Sequence, residues 1–78
     1  MREPDMQSGV ILNYHETRGF GFIKPDGGRG GADNVFFHYT VYQPNDVVPR
    51  VGARVMYAEG FDARTGKARA TMVEEVSR

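Results

Sequence analysis

Five short stretches of the chain have the apolar or alternating pattern of β-strands, and none has the period of a long helix. They lie at 9–14, 19–24, 34–39, 53–59 and 67–73. The connections between them are rich in glycine, proline, aspartate and asparagine, which favour turns. At most one helical turn, at 40–42, fits the pattern, because prolines at 44 and 49 rule out a longer helix. The pattern therefore predicts an all-β domain.

The five strands are too short for an open sheet to bury both its apolar side chains and its edges, which favours a closed barrel. We predict one barrel over 9–76, between a flexible N-terminal tail at 1–8 and a short C-terminal tail at 77–78. Phe61 joins the core if a bulge at Gly60 shifts the alternation of side chains. The alternation otherwise assigns to the core Val10, Leu12, Ile23, Val35, Phe37, Val41, Val51, Val55, Tyr57, Ala70 and Met72.

Two of the predicted strands have flat rings on one face and core-forming residues on the other. In the second strand, Phe20 and Phe22 point to one face while Ile23 points to the opposite one. The same alternation in the third strand sets its outward rings apart from Val35 and Phe37. If the two strands pair with these faces aligned, the outer surface of the sheet has four rings: Phe20, Phe22, Phe36 and His38.

The opposite orientation, with these rings in the core, would expose Ile23, Val35 and Phe37 together, so the outward orientation of the rings is favoured. Rings on a sheet surface are suited to stacking unpaired nucleobases. Glycines at 19 and 21 flank Phe20, and glycine weakens a strand unless something must approach its backbone closely. A nucleobase is one candidate for that close approach.

The charge balance argues against a binder that works by electrostatics alone. The chain has 10 basic and 10 acidic residues, whereas such binders usually have a basic excess. Any ligand must therefore be held mainly by something other than bulk charge. Arg18 is the first candidate for a phosphate contact, because it lies close to Phe20 in the sequence. The other candidate cations are Lys24, Arg29, Arg64, Lys67 and Arg69.

Several other kinds of site lack the residues they need. The chain has no cysteine for a disulfide or a thiolate metal site, and its 2 histidines have no recognisable ligand spacing. No nucleophile and base are arranged for catalysis, and the glycine-rich connection at 25–33 lacks the Gly-Lys-Ser/Thr of a phosphate-binding loop. No apolar run is long enough to span a membrane. We therefore expect a cytoplasmic non-enzyme without cofactor, metal, membrane or small-molecule partner.

Two motifs give the chain a resemblance to the cold-shock domain family over 9–76. Arg-Gly-Phe-Gly-Phe-Ile at 18–23 resembles the family's first ribonucleoprotein motif, and Val-Phe-Phe-His-Tyr-Thr at 35–40 resembles its second. The resemblance implies a five-stranded antiparallel OB-fold (oligonucleotide-binding) barrel of cold-shock type. It also implies binding of single-stranded RNA or DNA, in the role of an RNA chaperone or a regulator of transcription or translation.

The resemblance implies stacking roles for aromatic residues of both motifs and a contact with the ligand backbone for Arg18, where the family usually has lysine. Tyr39 stands where the family usually has phenylalanine. Leu12-Asn13-Tyr14 replaces the family's usual Lys-Trp-Phe, so Asn13 supplies no indole ring and we expect that end of the stacking track to be weaker. The predicted nucleic-acid-binding residues are Phe20, Phe22, Phe36, His38, Tyr39, Arg18, Lys24, Asn13 and Arg64.

Two other functions stay open at this point. An RNA-recognition motif has a similar glycine-aromatic octamer, but it needs two helices and has its motifs in the reverse order. A barrel whose aromatic face docks a protein, with weakened nucleic-acid binding, is the second alternative. We expect a monomer, and the long, proline-rich connection at 40–51 leaves a strand-swapped dimer as the other arrangement.

Overall fold

Six strands and one turn of 3-10 helix form the part of the chain that the computed structural model describes, residues 6–26, 34–44 and 47–76. The helical turn, Tyr39–Val41, begins one residue before its predicted position. All five predicted strands are present, together with a two-residue strand, β4, that the sequence did not indicate. The strands are β1 Met6–His15, β2 Phe20–Pro25, β3 Val35–His38, β4 Tyr42–Gln43, β5 Arg54–Asp62 and β6 Lys67–Glu75.

The strands close into the predicted barrel. In the strand order, β1 lies between β2 and β5 and pairs antiparallel with both. β2 pairs antiparallel with β3, and β5 with β6. A parallel contact between β3 and β6, at Phe36 and Arg69, closes the barrel, and the short β4 also pairs parallel to β6. Closure removes the exposed edges that a sheet of this size could not otherwise protect.

β1 is longer than predicted at its start. Met6 to Ser8, which the sequence assigned to a flexible tail, pair with β5 from Ala58 to Met56. The Ser8 hydroxyl donates to Asp26 Oδ2 at 2.7 Å, and Arg54 Nη1 donates to the same oxygen at 2.7 Å. These two hydrogen bonds, first that from Ser8, lower the pKa of Asp26 below its usual value. The remainder of the predicted tails, 1–5 and 77–78, lies outside the described residues.

The core confirms the predicted inward positions of β2, β3 and most of β5. It also contains three residues that the sequence missed, Ile11, Tyr42 and Val73. Tyr42 was missed because it lies in a proline-rich connection without a period, where pairing of β4 with β6 turns it inward. The buried core consists of Ile11, Ile23, Val35, Phe37, Tyr42, Val55, Tyr57, Ala70 and Val73.

The predicted core residues of β1 were wrong by one position. Ile11 is fully buried, whereas Leu12 is exposed and Val10 is only half-buried. Three successive apolar residues give no alternation, so the sequence could not fix which of them faces inward. The pairing partners explain the result. Ile11 pairs with Ile23 and Asn13 with Phe22, which makes Leu12 the extra residue of a β-bulge.

A second bulge explains the error in β6. Ala58 pairs with Met72, but Glu59 pairs with Ala70, so the alternation shifts between these pairs. Val73 is therefore buried, and Met72, which was predicted to be in the core, is exposed.

The core prediction for Val51 was wrong, that for Val41 was right only in part, and Phe61, which the sequence left open, lies outside the core. Val51 is 68% exposed, in the turn before β5, and Phe61 is 73% exposed near the end of β5. Val41 is half-buried and packs against the core without belonging to it.

Gly21 is required by the packing of the protein itself. A methyl group at this position would overlap the backbone oxygen of Asn13 and lie 3.0 Å from the Phe37 ring. The backbone of β1 and a core ring therefore approach Gly21 from the inside of the barrel. The sequence had suggested that a nucleobase approaches this glycine, but in the structure the close approach comes from the protein's own backbone and core.

The Gly21→Ala variant tests this packing. We expect it to lower the free energy of unfolding by about 3 kcal/mol, because neither a backbone oxygen nor a buried ring can move away cheaply. Urea denaturation measures the change. Gly60→Ala is the matched control, since its new methyl group would meet only the end of the Thr71 side chain, at 2.9 Å. An equal loss in the two variants would contradict the role assigned to Gly21.

A second stability prediction concerns Tyr57, which is fully buried and whose hydroxyl has no hydrogen-bond partner among the described residues. Burial raises the pKa of this phenol, and the charges of Glu59 and Asp26 raise it further. Tyr57→Phe removes an unpaired buried group, so we expect it to stabilise the fold by about 1 kcal/mol. Tyr39→Phe, at an exposed position, should change stability by less than about 0.5 kcal/mol in the same thermal denaturation. A lower melting temperature for Tyr57→Phe would contradict the expectation.

Candidate nucleic-acid interface

The pairing of β2 with β3 brings the predicted rings together on the outside of the barrel. Phe22 lies opposite Phe36, and Phe20 lies opposite His38. The ring centroids of Phe20 and Phe36 are 5.6 Å apart, and those of Phe22 and Phe36 are 5.9 Å apart with an edge-to-face geometry. All four side chains are half-buried and lie outside the core. The outward orientation predicted for the rings is therefore the one in the structure.

The strand register orders the outward side chains into two rows that cross the barrel surface. The first row runs from β1 to β6 through Asn13, Phe22, Phe36 and Arg69. The second row runs from β1 to β3 through His15, Phe20 and His38. We call them the Phe22 row and the Phe20 row. Each has a polar or ionisable residue at both ends.

His15 is a member of this surface that the sequence did not identify. It was assigned to a polar connection, but it is the last residue of β1 and pairs with Phe20. The centroids of these two rings are 5.0 Å apart. The bulge at Leu12 is the cause, because it turns Tyr14 inward to stack on Phe37 and turns His15 outward. A sequence gives no signal for a bulge within an apolar run.

Local contacts fix the orientation of His38. The Thr40 backbone N–H donates to His38 Nδ1 at 3.4 Å, and the Thr40 hydroxyl lies 3.0 Å from the same nitrogen. Because Nδ1 accepts a hydrogen bond, the neutral imidazole carries its proton on Nε2. The Tyr39 ring lies 4.9 Å from the His38 ring, measured between centroids. The two rings are thus held side by side at the end of β3.

Tyr39 is 52% exposed and packs on the backbone of Gly19. Its N–H donates to the Gly19 carbonyl at 2.8 Å. Gly19 has a positive φ of 74°, and a methyl group there would lie 2.7 Å from the Tyr39 ring. The first glycine of the motif therefore allows the positive φ of the turn into β2 and leaves room for the exposed Tyr39 ring.

The predicted cations occupy different parts of the surface. Arg18 is exposed in the turn between β1 and β2, two residues before Phe20. Lys24 is exposed on the same face of β2 as the phenylalanines. Arg64 is exposed in the turn between β5 and β6. Arg29, a further candidate, lies outside the described residues.

Within residues 6–26, 34–44 and 47–76, no group of three or more His, Cys, Asp or Glu side chains could hold a metal ion. The same part of the chain has no helix of the length and apolar character needed to cross a membrane.

The chain is similar to known proteins over most of its length. Residues 7–76 match the family model of the 'Cold-shock' DNA-binding domain. The chain is similar to the Cold shock protein CspA of Rhizobium meliloti (strain 1021), with 36% identity over 66 residues, or 83% of this chain and 91% of that protein. It is also similar in fold to the solved structure of drosophila Unr CSD456, with a TM-score of 0.75 and 18% identity. That match covers 95% of this chain and 28% of the longer one.

The family model accounts for nearly the whole chain, and the similarity to the Rhizobium protein extends over most of both sequences. The chain therefore belongs to the family of 'cold-shock' DNA-binding domains, a family of nucleic-acid-binding proteins.

Proposed function

We propose that this domain binds single-stranded RNA or DNA by stacking unpaired bases on the Phe22 row and the Phe20 row. In this proposal it acts as a cytoplasmic monomer, as an RNA chaperone or a regulator of transcription or translation. The observation that carries the proposal is the cluster of Phe20, Phe22 and Phe36, half-buried on the outside of the barrel with centroids within 6 Å of one another along the cluster. Bases in a duplex already stack on their neighbours, so a surface of rings favours single strands.

The rigidity of the surface supports this proposal. Each ring lies on a paired strand, and residues adjacent to the rings, such as Ile23 and Phe37, are fixed in the core. The rings therefore lose little conformational freedom when a ligand binds. Each stacked base contributes about 1–3 kcal/mol. Three or four such contacts, less the cost of ordering the ligand, correspond to micromolar to sub-micromolar affinity.

The ends of the rows supply hydrogen-bonding groups. Asn13, exposed opposite Phe22, has an amide that both donates and accepts, and it takes the place of a stacking ring at that end of the row. Arg69 lies at the other end, opposite Phe36. Stacking itself discriminates weakly between bases. We therefore expect binding to tolerate many sequences, with a modest preference for pyrimidine-rich strands.

Replacement of Phe20 tests the stacking contribution. Phe20→Ala should weaken binding of a short single-stranded oligonucleotide by about 5- to 150-fold, the equivalent of one stacked base. Phe20→Leu is the matched control for apolar cover, because it keeps a large apolar side chain but has no ring. We expect Phe20→Leu to lose most of the same affinity. Fluorescence anisotropy with a labelled oligothymidine measures both.

Thermal denaturation accompanies these titrations. The melting temperature of Phe20→Leu should stay close to that of the wild type, because Phe20 lies outside the core. Full affinity in Phe20→Leu would show that the ring acts only as apolar cover, and stacking would be rejected. Absence of oligonucleotide binding by the wild type, together with capture of a protein on the ring surface, would favour the protein-docking alternative.

Salt dependence tests the division between stacking and charge. The wild type should show a shallow slope of log affinity against log salt, and Arg18→Gln should reduce its magnitude by about 0.7, the value for one neutralised phosphate of a single strand. Arg54→Gln removes the same charge from a residue that is paired with Asp26, so its slope should equal that of the wild type. Equal slopes for Arg18→Gln and the wild type would exclude a phosphate contact at Arg18.

A further inference from the structure

A groove lies beside the His15 end of the Phe20 row. One wall is formed by the end of β1 and the following turn, and the other by the segment that precedes β5. The volume of the groove is about 450 Å³, within the range of sites that hold small organic groups, roughly 300–1,000 Å³. Its lining includes His15 and Glu16 on the first wall and Val48, Arg50 and Val51 on the second.

Backbone hydrogen bonds hold the segment at 50–53 against β1. Gly52 N–H donates to the Ile11 carbonyl at 2.8 Å, and Ile11 N–H donates to the Ala53 carbonyl at 3.0 Å. Ala53 N–H donates to the Arg50 carbonyl at 3.0 Å and closes the turn. Pro49, between the outward residues of this segment, is buried. This part of the groove wall is therefore anchored to the central strand of the barrel.

His15 belongs both to the groove and to the Phe20 row. Its ring centroid is 5.0 Å from that of Phe20, which in turn is 5.6 Å from that of Phe36. The series of rings thus leads from β3 across β2 to β1 and ends in the groove. A strand that stacks its bases along this series would bring its next nucleotide to the groove.

The lining of the groove fits a nucleotide. Val48 is 53% exposed and Val51 is 68% exposed, which is unusual for valine and leaves aliphatic surface that could cover the flat face of a base. Arg50 is exposed and can pair with a phosphate. Glu16, on the opposite wall, offers carboxylate oxygens that accept hydrogen bonds from an exocyclic amino group.

We propose that this groove binds one further nucleotide of the same single strand, beyond the bases stacked on the rings. The base lies between His15 and the two valines, and its phosphate pairs with Arg50. Glu16 selects a base with an exocyclic amino group, such as cytosine, over thymine or uracil. This inference rests on the proposed function, because the groove is reached through the row of rings.

A length series of single-stranded oligonucleotides tests this proposal with the full chain. Oligothymidines of increasing length, each ending in cytidine at one end or the other, are titrated by fluorescence anisotropy. In the wild type, one added nucleotide should raise affinity by about fivefold after the rings are filled, the lower limit for a stacked base. In Val48→Asp and in Arg50→Ala this step should disappear, while the shorter oligomers bind as they do to the wild type.

Val47→Asp is the matched control, because Val47 is the exposed neighbour of Val48 but does not line the groove. It should keep the affinity step. Glu16→Gln should keep the step but reduce the preference for cytidine over thymidine at that nucleotide. Arg50→Ala keeps the experiment decisive if the aspartate variant fails to fold.

The outcomes separate this inference from the function on which it rests. If Val48→Asp and Arg50→Ala match the wild type at every length, or if they lose affinity equally at every length, the groove does not bind a nucleotide. In both cases the proposed function still stands if the wild type binds short oligomers through the rings. If the wild type binds no oligomer at all, the proposed function and the inference are both rejected.

Discussion

The antiparallel pairing of β2 with β3 is the interaction on which the rest of this protein depends. Because side chains alternate along a strand, the same pairing that sends Ile23, Val35 and Phe37 into the core sends the neighbouring rings outward. A slip of one residue would exchange the two sets and destroy the core and the binding surface together. Stability of the barrel and placement of the rings are therefore two results of one register.

The β1 bulge adapts the central strand to this pairing. Leu12 and Asn13 are both exposed, and Tyr14 then turns inward to stack on Phe37, with centroids 6.0 Å apart. If β1 continued from Ile11 in regular pairing without a bulge, Asn13 would lie opposite Gly21, and Tyr14 instead of His15 would lie opposite Phe20. Because of the bulge, β1 contributes Ile11 to the core and also extends both rows of the outer surface, through Asn13 and His15. Gly21 allows β1 to come this close, because its missing side chain leaves room for the Asn13 backbone.

The zero net charge of the domain makes the exposed rings more important than bulk charge in the proposed binding. With 10 basic and 10 acidic residues the domain has no general attraction for phosphates. In the proposed function, binding relies on contacts that are short in range and fixed in geometry, which flat rings on rigid strands would supply. The cations are dispersed: exposed Arg18 lies by the start of β2, half-buried Arg69 lies at the closing pair of the barrel, and exposed Arg64 lies in the turn between β5 and β6. In the proposed function, these charges would help to position a strand without dominating its affinity.

The sequence by itself determined the five main strands, their closure into a barrel and the faces of β2 and β3. In these segments apolar and polar positions, or core and ring positions, alternate without interruption, and a period of two assigns each side chain to a face. Only the tertiary structure decided the phase of β1, the inward turn of Tyr42 and the exposure of Phe61. Bulges and inter-strand contacts set these features, and neither leaves a periodic signal in the chain. For the same reason the sequence found Phe20, Phe22 and Phe36 but not His15, whose place beside Phe20 exists only once a bulge in β1 has shifted the register against β2.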